Sequence, residues 1–290
     1  MPFRLPMPGS RRSRRSGRGG RMGSLKVRLA IAAVIAGIAL VSYLTTSQVN
    51  PITGQTQRIG LTPADEVAMG LQAVPSLTQQ FGGLEPDPQA QTRLDRIGRE
   101  LVNAALRHHN LQPSDNPYEF EFTLLADDSV INAFALPGGQ TFITDVLHDQ
   151  LSDSQLAAVM AHEITHVIER HGAEQMAQGE LFQQLSGAAG MAVGDMTGAQ
   201  VTGQFLNVLA KGYGRDAERE CDHFGVIYMV EAGYHPQGMV ELLQVLAASA
   251  GGERPPEILS THPHPEERIG LVENQIAQMF PNGVPDTLRR

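Results

Sequence analysis

Between Ala157 and His171 the chain reads A-A-V-M-A-H-E-I-T-H-V-I-E-R-H, and no other stretch constrains its fold as strongly. A helix advances about 3.6 residues per turn, so His162 and His166 leave the same side one turn apart, with Glu163 beside them. Two neutral imidazoles at that spacing can hold a divalent ion at about 2.0–2.1 Å, and the adjacent carboxylate can take a proton from the water the ion activates. Leu156, Val159, Met160, Ile164 and Val167 put apolar side chains around much of this helix, which predicts a buried element. Ser152, with Gln155 three residues on, predicts a capping box at its start. A core helix whose histidines merely find hydrogen-bond partners is the plainer alternative. It is disfavoured because two imidazoles and a carboxylate are costly to bury without a cation or another charged partner.

A zinc ion that activates water wants three protein ligands and an open position, so a further ligand must come from elsewhere. Residues 213–225 read Y-G-R-D-A-E-R-E-C-D-H-F-G. On a helix Glu218 and Asp222 sit one turn apart, which lets Glu218 reach a metal while Asp222 holds a ligand histidine from behind. Glu220 faces elsewhere. Periodicity does not choose between the glutamates, and it leaves His171 and His223 open as third ligands.

The formal charge of −9 hides an asymmetry. Residues 1–28 carry nine arginines and lysines and no acid, which leaves −18 for the remainder. Directly after Arg28 come sixteen uncharged residues, Leu29 to Leu44, close to the length of about 20 that spans a bilayer. An uncleaved anchor (29–45) after a basic cytoplasmic tail (1–28) fits best, and the positive-inside rule then sends the acidic remainder across the membrane. The reading is a single-pass bacterial inner-membrane protein with its domain on the periplasmic side. The Arg- and Ser-rich start also fits a mitochondrial presequence, so a mitochondrial inner-membrane protein, or a cleaved periplasmic one, stands as the alternative. Basic residues flanking a span need no nucleic acid to explain them. Cys221 is the only cysteine, so the fold cannot depend on an intramolecular disulfide, and 41% hydrophobic content supports a real core.

Residues 46–60 are polar, with Pro51 and two glycines, and predict a linker. Thr62-Pro63 predicts a helix start, followed by a segment to Gln80 that Pro75 breaks. Leu94, Ile97, Leu101 and Val102 repeat at helical spacing between Asp87 and Arg107. His108-His109 after it reads as a solvated pair. Tyr118–Leu125 alternates, Val130–Leu136 follows a turn at Asp127-Asp128, and Pro137-Gly138-Gly139 leads into Gln140–Thr144, which predicts a small sheet of antiparallel character. An exposed edge of that sheet could pair with an extended peptide, and a plain structural hairpin is the alternative. Residues 181–209 predict one or two loosely packed helices. His235 and His264 read as surface residues.

The pairing of H-E-I-T-H with G-R-D-A-E-R-E-C-D about fifty residues on resembles the bacterial BepA and HtpX group of gluzincin zinc metallopeptidases, related to the CAAX prenyl proteases. Further matches lie in order: N-A-F-A-L-P-G-G at 132–139, Arg170-His171, S-T-H-P at 260–263, and Arg268-Ile269. The likeness covers roughly residues 61–280. It implies an α+β, mainly helical zincin-like domain (61–283, before a short tail at 284–290) with one zinc ion per chain, held by His162, His166 and Glu218. It further implies that Asp222 bonds a ligand histidine, that Arg215 is a structural or site-shaping cation, and that Asn132, Ala133, Phe134 and Ala135 border the substrate cleft. His262 matches a histidine that in some relatives approaches the metal; metal switch, oxyanion helper and loop residue remain open for it. Cys221 stands where alanine is common, and the tetratricopeptide repeats of part of the group are expected to be missing. The lipobox cysteine that anchors some relatives is not found near the apolar segment. The expected function is a membrane-anchored zinc endopeptidase that cuts unfolded or misassembled envelope proteins, with Glu163 as general base. The alternative is a zinc-binding chaperone or adaptor with little proteolysis.

Overall fold

In the computed structural model, which describes residues 20–193, 212–249 and 256–290, the chain falls into two units. One comprises Met1–Val41 with Leu181–Ala199, the other Ser42–Glu180 with residues 200–290. Helix α1 (Gly20–Thr45) contains 21 residues, Leu25–Thr45, that are long and apolar enough to cross a membrane. At about 1.5 Å per residue they match a hydrocarbon core about 30 Å thick. Residues 1–19 of the basic tail and 194–211 of the Gly- and Ala-rich segment lie outside the described residues.

After α1 come β1 (Gln48–Val49), β2 (Thr56–Gln57), α2 (Pro63–Gln80), α3 (Pro88–His108), β3 (Glu121–Leu125), β4 (Ala133–Ala135), β5 (Gln140–Thr144), α4 (Asp145–Gln150), α5 (Asp153–Ile168), α6 (His171–Val193), α7 (Arg215–Glu231), α8 (Gln237–Ser249), α9 (Ile258–Thr261) and α10 (Pro265–Met279). The architecture is mainly helical with small sheets, as expected. Helix α5 starts at the predicted capping box: Ser152 Oγ accepts from the Gln155 amide, and Gln155 reaches back to the Ser152 amide. From Leu156 to Ile168 every residue of α5 is buried. The apolar stripe of α3 (Leu94, Ile97, Leu101) packs in the same core, together with Val226 and Met229 of α7, Met239, Val240 and Leu243 of α8, and Val272 and Ile276 of α10. Each such side chain contributes about 1.5–3 kcal/mol when fully buried. Arg93 and Arg96 of α3 each place a guanidinium nitrogen 2.8 Å from Asp153, fixing the start of α5 against α3.

The sheet is mixed rather than antiparallel. Its order is β3-β5-β4, with β4 antiparallel to β5 and β3 parallel to it. The chain reverses after β3 and again at Pro137–Gly139, so β5 runs in the direction of β3, and it lies between the other two strands. Helix α2 starts at Thr62-Pro63 as predicted, with a capping box between Thr62 and Asp65, but runs unbroken through Pro75. A helix-interior proline costs about 3 kcal/mol. Leu77 and Phe81, at and just past the far end of α2, are buried with Leu125, Phe134, Leu136 and Phe142, and this packing holds the helix together beyond Pro75.

Three further expectations are corrected. The 46–60 stretch is docked: Asn50 Nδ2 donates to the Ile168 carbonyl at 2.7 Å, Gln57 Nε2 donates to that of Glu169, and Ile59 is fully buried. The last carbonyls of a helix lack partners within it, and these two amides supply them at the end of α5. His108 and His109 are both engaged with α7, His108 with Glu231 at 2.8 Å and His109 with the Tyr228 hydroxyl at 2.9 Å. His235 is buried, whereas His264 is exposed as expected.

Helix α8 approaches α5 through a residue without a side chain. A Cβ on Gly238 would lie 2.4 Å from the Ser154 carbonyl oxygen. Gly238→Ala is therefore expected to destabilise the domain by about 1–3 kcal/mol in denaturant unfolding, the usual cost of overpacking. An unchanged midpoint would contradict this packing.

Candidate metal centre

Four ligating atoms from three parts of the chain converge inside the core. His162 and His166 project from one side of α5 with their Nε2 atoms 3.2 Å apart. Helix α7 brings Glu218, whose Oε2 is 3.5 Å from His162 Nε2 and whose Oε1 is 3.5 Å from His166 Nε2. His262, just after α9, puts Nδ1 3.2 Å from His162 Nε2 and 3.1 Å from Glu218 Oε1. All four residues are buried and could hold a metal ion. A tetrahedral ion with bonds of about 2.0–2.1 Å has edges of ~3.3–3.4 Å, so these separations of 3.1–3.5 Å fit zinc and its usual nitrogen and oxygen donors.

Gly225 of α7 faces α5 and the Met239 side chain of α8. A Cβ there would sit 3.6 Å from the His162 amide nitrogen and 3.0 Å from Met239 Cε. Glu218, Asp222 and Gly225 recur at helical spacing, so one face of α7 presents the carboxylates and the close contact together. Asp222 Oδ1 lies 3.1 Å from His162 Nδ1, which turns the lone pair of Nε2 toward the cluster.

The cation that organises these carboxylates is Arg268 of α10. Its NH1 donates to Glu218 Oε2 at 2.5 Å, its NH2 to Asp222 Oδ1 at 2.5 Å and its Nε to Asp222 Oδ2 at 2.6 Å. Arg215, expected in that role, lies at the surface paired with Glu267 at 3.1 Å. It occupies the first turn of α7, a full turn before the face of Glu218 is buried. The sequence did flag Arg268, as a motif match, but nothing in its spacing revealed its partners.

Glu163 is buried beside the cluster, with its Oε1 3.3 Å from His262 Nε2, and it accepts a hydrogen bond from the Ala135 amide. Burial pushes its carboxyl above the usual range, only partly offset by His262 and His162. Burial also acts against charge on Glu218, but His262, His162 and His166 outweigh it and hold Glu218 well below the ordinary carboxylate range. Asp222 is likewise held down by Arg268 and His162 against its burial. His162 is pushed up to about 9, because Asp222 and Glu218 overcome desolvation, whereas burial keeps His166 well below its ordinary value and neutral. Tyr213 stacks on the His166 ring at 3.9 Å between centroids.

Of the other expected residues, His171 contacts His166 through Nδ1, at 3.0 Å, on the ring edge away from the cluster, and so is not a ligand of the same ion. His223 is exposed. Strand β4 is an edge of the sheet by topology, but all three of its residues are buried. The Ile258 amide donates to the Ile131 carbonyl at 3.3 Å, and the Ala135 amide is taken by Glu163. The Phe134 side chain stacks on Phe142 in the core behind the sheet, so it does not line the site. Asn132 keeps a buried Oδ1 without a hydrogen-bond partner.

Residues 88–276 match Peptidase family M48, and the chain belongs to that family. It is 32% identical over 273 residues to the beta-barrel assembly-enhancing protease of Escherichia coli, covering 88% of this chain and 53% of that one. The relative of the same name from Yersinia pestis is 31% identical over 269 residues, 85% of this chain and 51% of that one. The mitochondrial metalloendopeptidase OMA1 of Saccharomyces cerevisiae is 27% identical over 257 residues, 83% and 72% of the two chains. The chain thus spans about half the length of the bacterial relatives it matches. The family is one of peptidases, and the relatives are named as proteases or a metalloendopeptidase.

Removing Arg268 leaves two buried carboxylates without their cation. Arg268→Gln is expected to cost about 3–5 kcal/mol in denaturant unfolding, the price of breaking a buried ion pair from one side. Arg215→Gln, at the surface, should stay within about 0.5 kcal/mol. The reverse ranking would contradict the placement of the two arginines.

Proposed function

We propose that the chain is a membrane-anchored zinc endopeptidase in which His162, His166 and Glu218 hold the ion and Glu163 is the general base. The observation that carries this is the meeting of two imidazole nitrogens and a carboxylate at 3.2–3.5 Å, with the Glu163 carboxylate in the same pocket. A zinc ion bound there would act as a Lewis acid and lower the pKa of an attacking water toward about 7. Glu163 accepts that water's proton, which its raised proton affinity favours, and returns it to the leaving amine. Asp222 and Arg268 hold His162 and Glu218 in place throughout.

The described arrangement is a closed one. His262 Nδ1 fills the fourth corner of the cluster while its Nε2 faces Glu163, so a water cannot stand between them until His262 leaves. The same short segment also covers the sheet edge. Asn132 and Leu136 pair with β5, so by the alternation of an antiparallel ladder the main-chain groups of Ile131, Ala133 and Ala135 face outward. Ile258 occupies the first of these and Glu163 the last. An extended peptide would take the place of Ile258 along Ala133, the β-addition mode, with the unpaired Asn132 Oδ1 beside it. Displacing α9 thus frees the strand edge and the reaction centre in one motion.

The natural substrate class is an unfolded or misassembled envelope protein, met on the far side of the inner membrane. The acid-free tail before α1 supports that orientation by the positive-inside rule. If His262 never leaves, the closed site instead describes a zinc-bound adaptor that holds such proteins uncut. Chelator-sensitive digestion of casein by the purified protein supports the peptidase, and no digestion under any condition supports the adaptor.

Glu163→Gln is expected to retain zinc and lose at least about 10²-fold in casein hydrolysis, the lower range for removal of a general base. Wild-type turnover by this variant would refute the assignment. His262→Ala is expected to raise hydrolysis, by about tenfold if the closed form holds nine-tenths of the molecules. A loss of activity would instead make His262 a helper in the reaction.

A further inference from the structure

The two ligand histidines are supported from behind by different groups. His162 has the Asp222 carboxylate. His166, whose Nε2 faces Glu218, has a second histidine: its Nδ1 lies 3.0 Å from Nδ1 of His171. The other nitrogen of His171, Nε2, is 3.2 Å from Oε2 of Glu220. Building on the metal-site reading above, we propose that His171 and Glu220 form a hydrogen-bond relay that positions His166 for the metal, with His171 as the positioning residue and Glu220 as its anchor.

The chemistry of the rings dictates the direction of the relay. An imidazole that offers its Nε2 lone pair to a cation carries its proton on Nδ1, and that buried N–H needs an acceptor. His171 Nδ1 supplies the acceptor. With its Nδ1 lone pair so used, His171 carries its own proton on Nε2 and donates it to the Glu220 carboxylate. Partners of this kind fix the tautomer and the orientation of a ligand ring.

Local structure explains how a residue five positions after His166 can turn back to it. Arg170 adopts a left-handed backbone conformation, with φ of 59°, at the junction of α5 and α6. Its guanidinium is buried against Glu66 of α2 and donates to the Leu61 carbonyl at 2.6 Å. The bend places His171, the first residue of α6, against the ring of His166. Helix α7 thereby secures both ligand histidines, His162 directly through Asp222 and His166 at one remove through Glu220.

His166, His171 and Cys221 also lie close enough to hold a cation of their own, with Cys221 Sγ 3.5 Å from His171 Nδ1. That arrangement would require His166 to give up both ring protons and bridge two ions, whereas the relay needs only the ordinary neutral tautomer.

The test is the zinc affinity of the purified full-length protein in detergent, by competition with a chromophoric chelator at fixed pH. His171→Ala is expected to lose about 10–100-fold in affinity, the usual cost of removing the partner of a ligand histidine. His171→Asn, whose Oδ1 can accept in place of Nδ1, is expected to recover most of it. Glu220→Ala, at the partly exposed end of the relay, is expected to lose about two- to tenfold. Wild-type affinity in His171→Ala, or an Asn variant no better than the Ala one, overturns the relay. If His171→Ala fails to fold, Glu220→Ala decides, and unchanged affinity there overturns it. A second equivalent of metal, with a thiolate-to-metal charge-transfer band in the cobalt-substituted protein, overturns it in favour of the bridged pair. Failure of the wild-type protein to take up zinc is a separate result, and it would refute the metal-site reading itself.

Discussion

Charge buried around the middle of α5 is the constraint to which the rest of the domain answers. Glu163, Glu218 and Asp222 bring three carboxylates into the interior, and the buried guanidinium of Arg268 bonds two of them. Taken out of water without partners, each of these groups would cost several kcal/mol. A cation held between His162, His166 and Glu218 would offset negative charge that the guanidinium leaves unbalanced. The same site that would carry the chemistry is in this view a condition for burying the helix at all.

The surrounding elements are arranged accordingly. Helix α7 delivers Glu218 to the histidines of α5, and α10 delivers Arg268 to Glu218 and Asp222. The segment around α9 then closes the site from the remaining side, with Ile258 on the strand edge and His262 on the cluster. That closure by a short segment, rather than by the core, makes a gate physically reasonable: α3, α7 and α8 pack on α5 through extensive apolar surface, whereas α9 is one turn long.

Much of this was legible in the sequence, for reasons that are local. The capping box at Ser152, the spacing of His162 and His166, and the stripe of Leu94, Ile97 and Leu101 each express a helical period that tertiary contacts do not alter. Glu218 and Asp222 were legible as a pair, and the family resemblance was needed to prefer Glu218. What was not legible depends on contacts between distant segments. Whether β3 meets β4 or β5 decides between a parallel and an antiparallel pairing, and alternation within a strand is silent on it. Arg215 and Arg268 are equivalent by composition, and only the packing of α10 on α7 brings Arg268 to the carboxylates. Asn50 and Gln57 look like linker residues until the end of α5 is seen to need them.

X-ray absorption at the zinc edge of the purified full-length protein tests the central claim most directly. The account predicts one zinc per chain with nitrogen and oxygen neighbours alone, at about 2.0–2.1 Å. A sulfur neighbour at about 2.3 Å, such as the only cysteine, Cys221, could supply, or a protein that takes up no zinc, would contradict it.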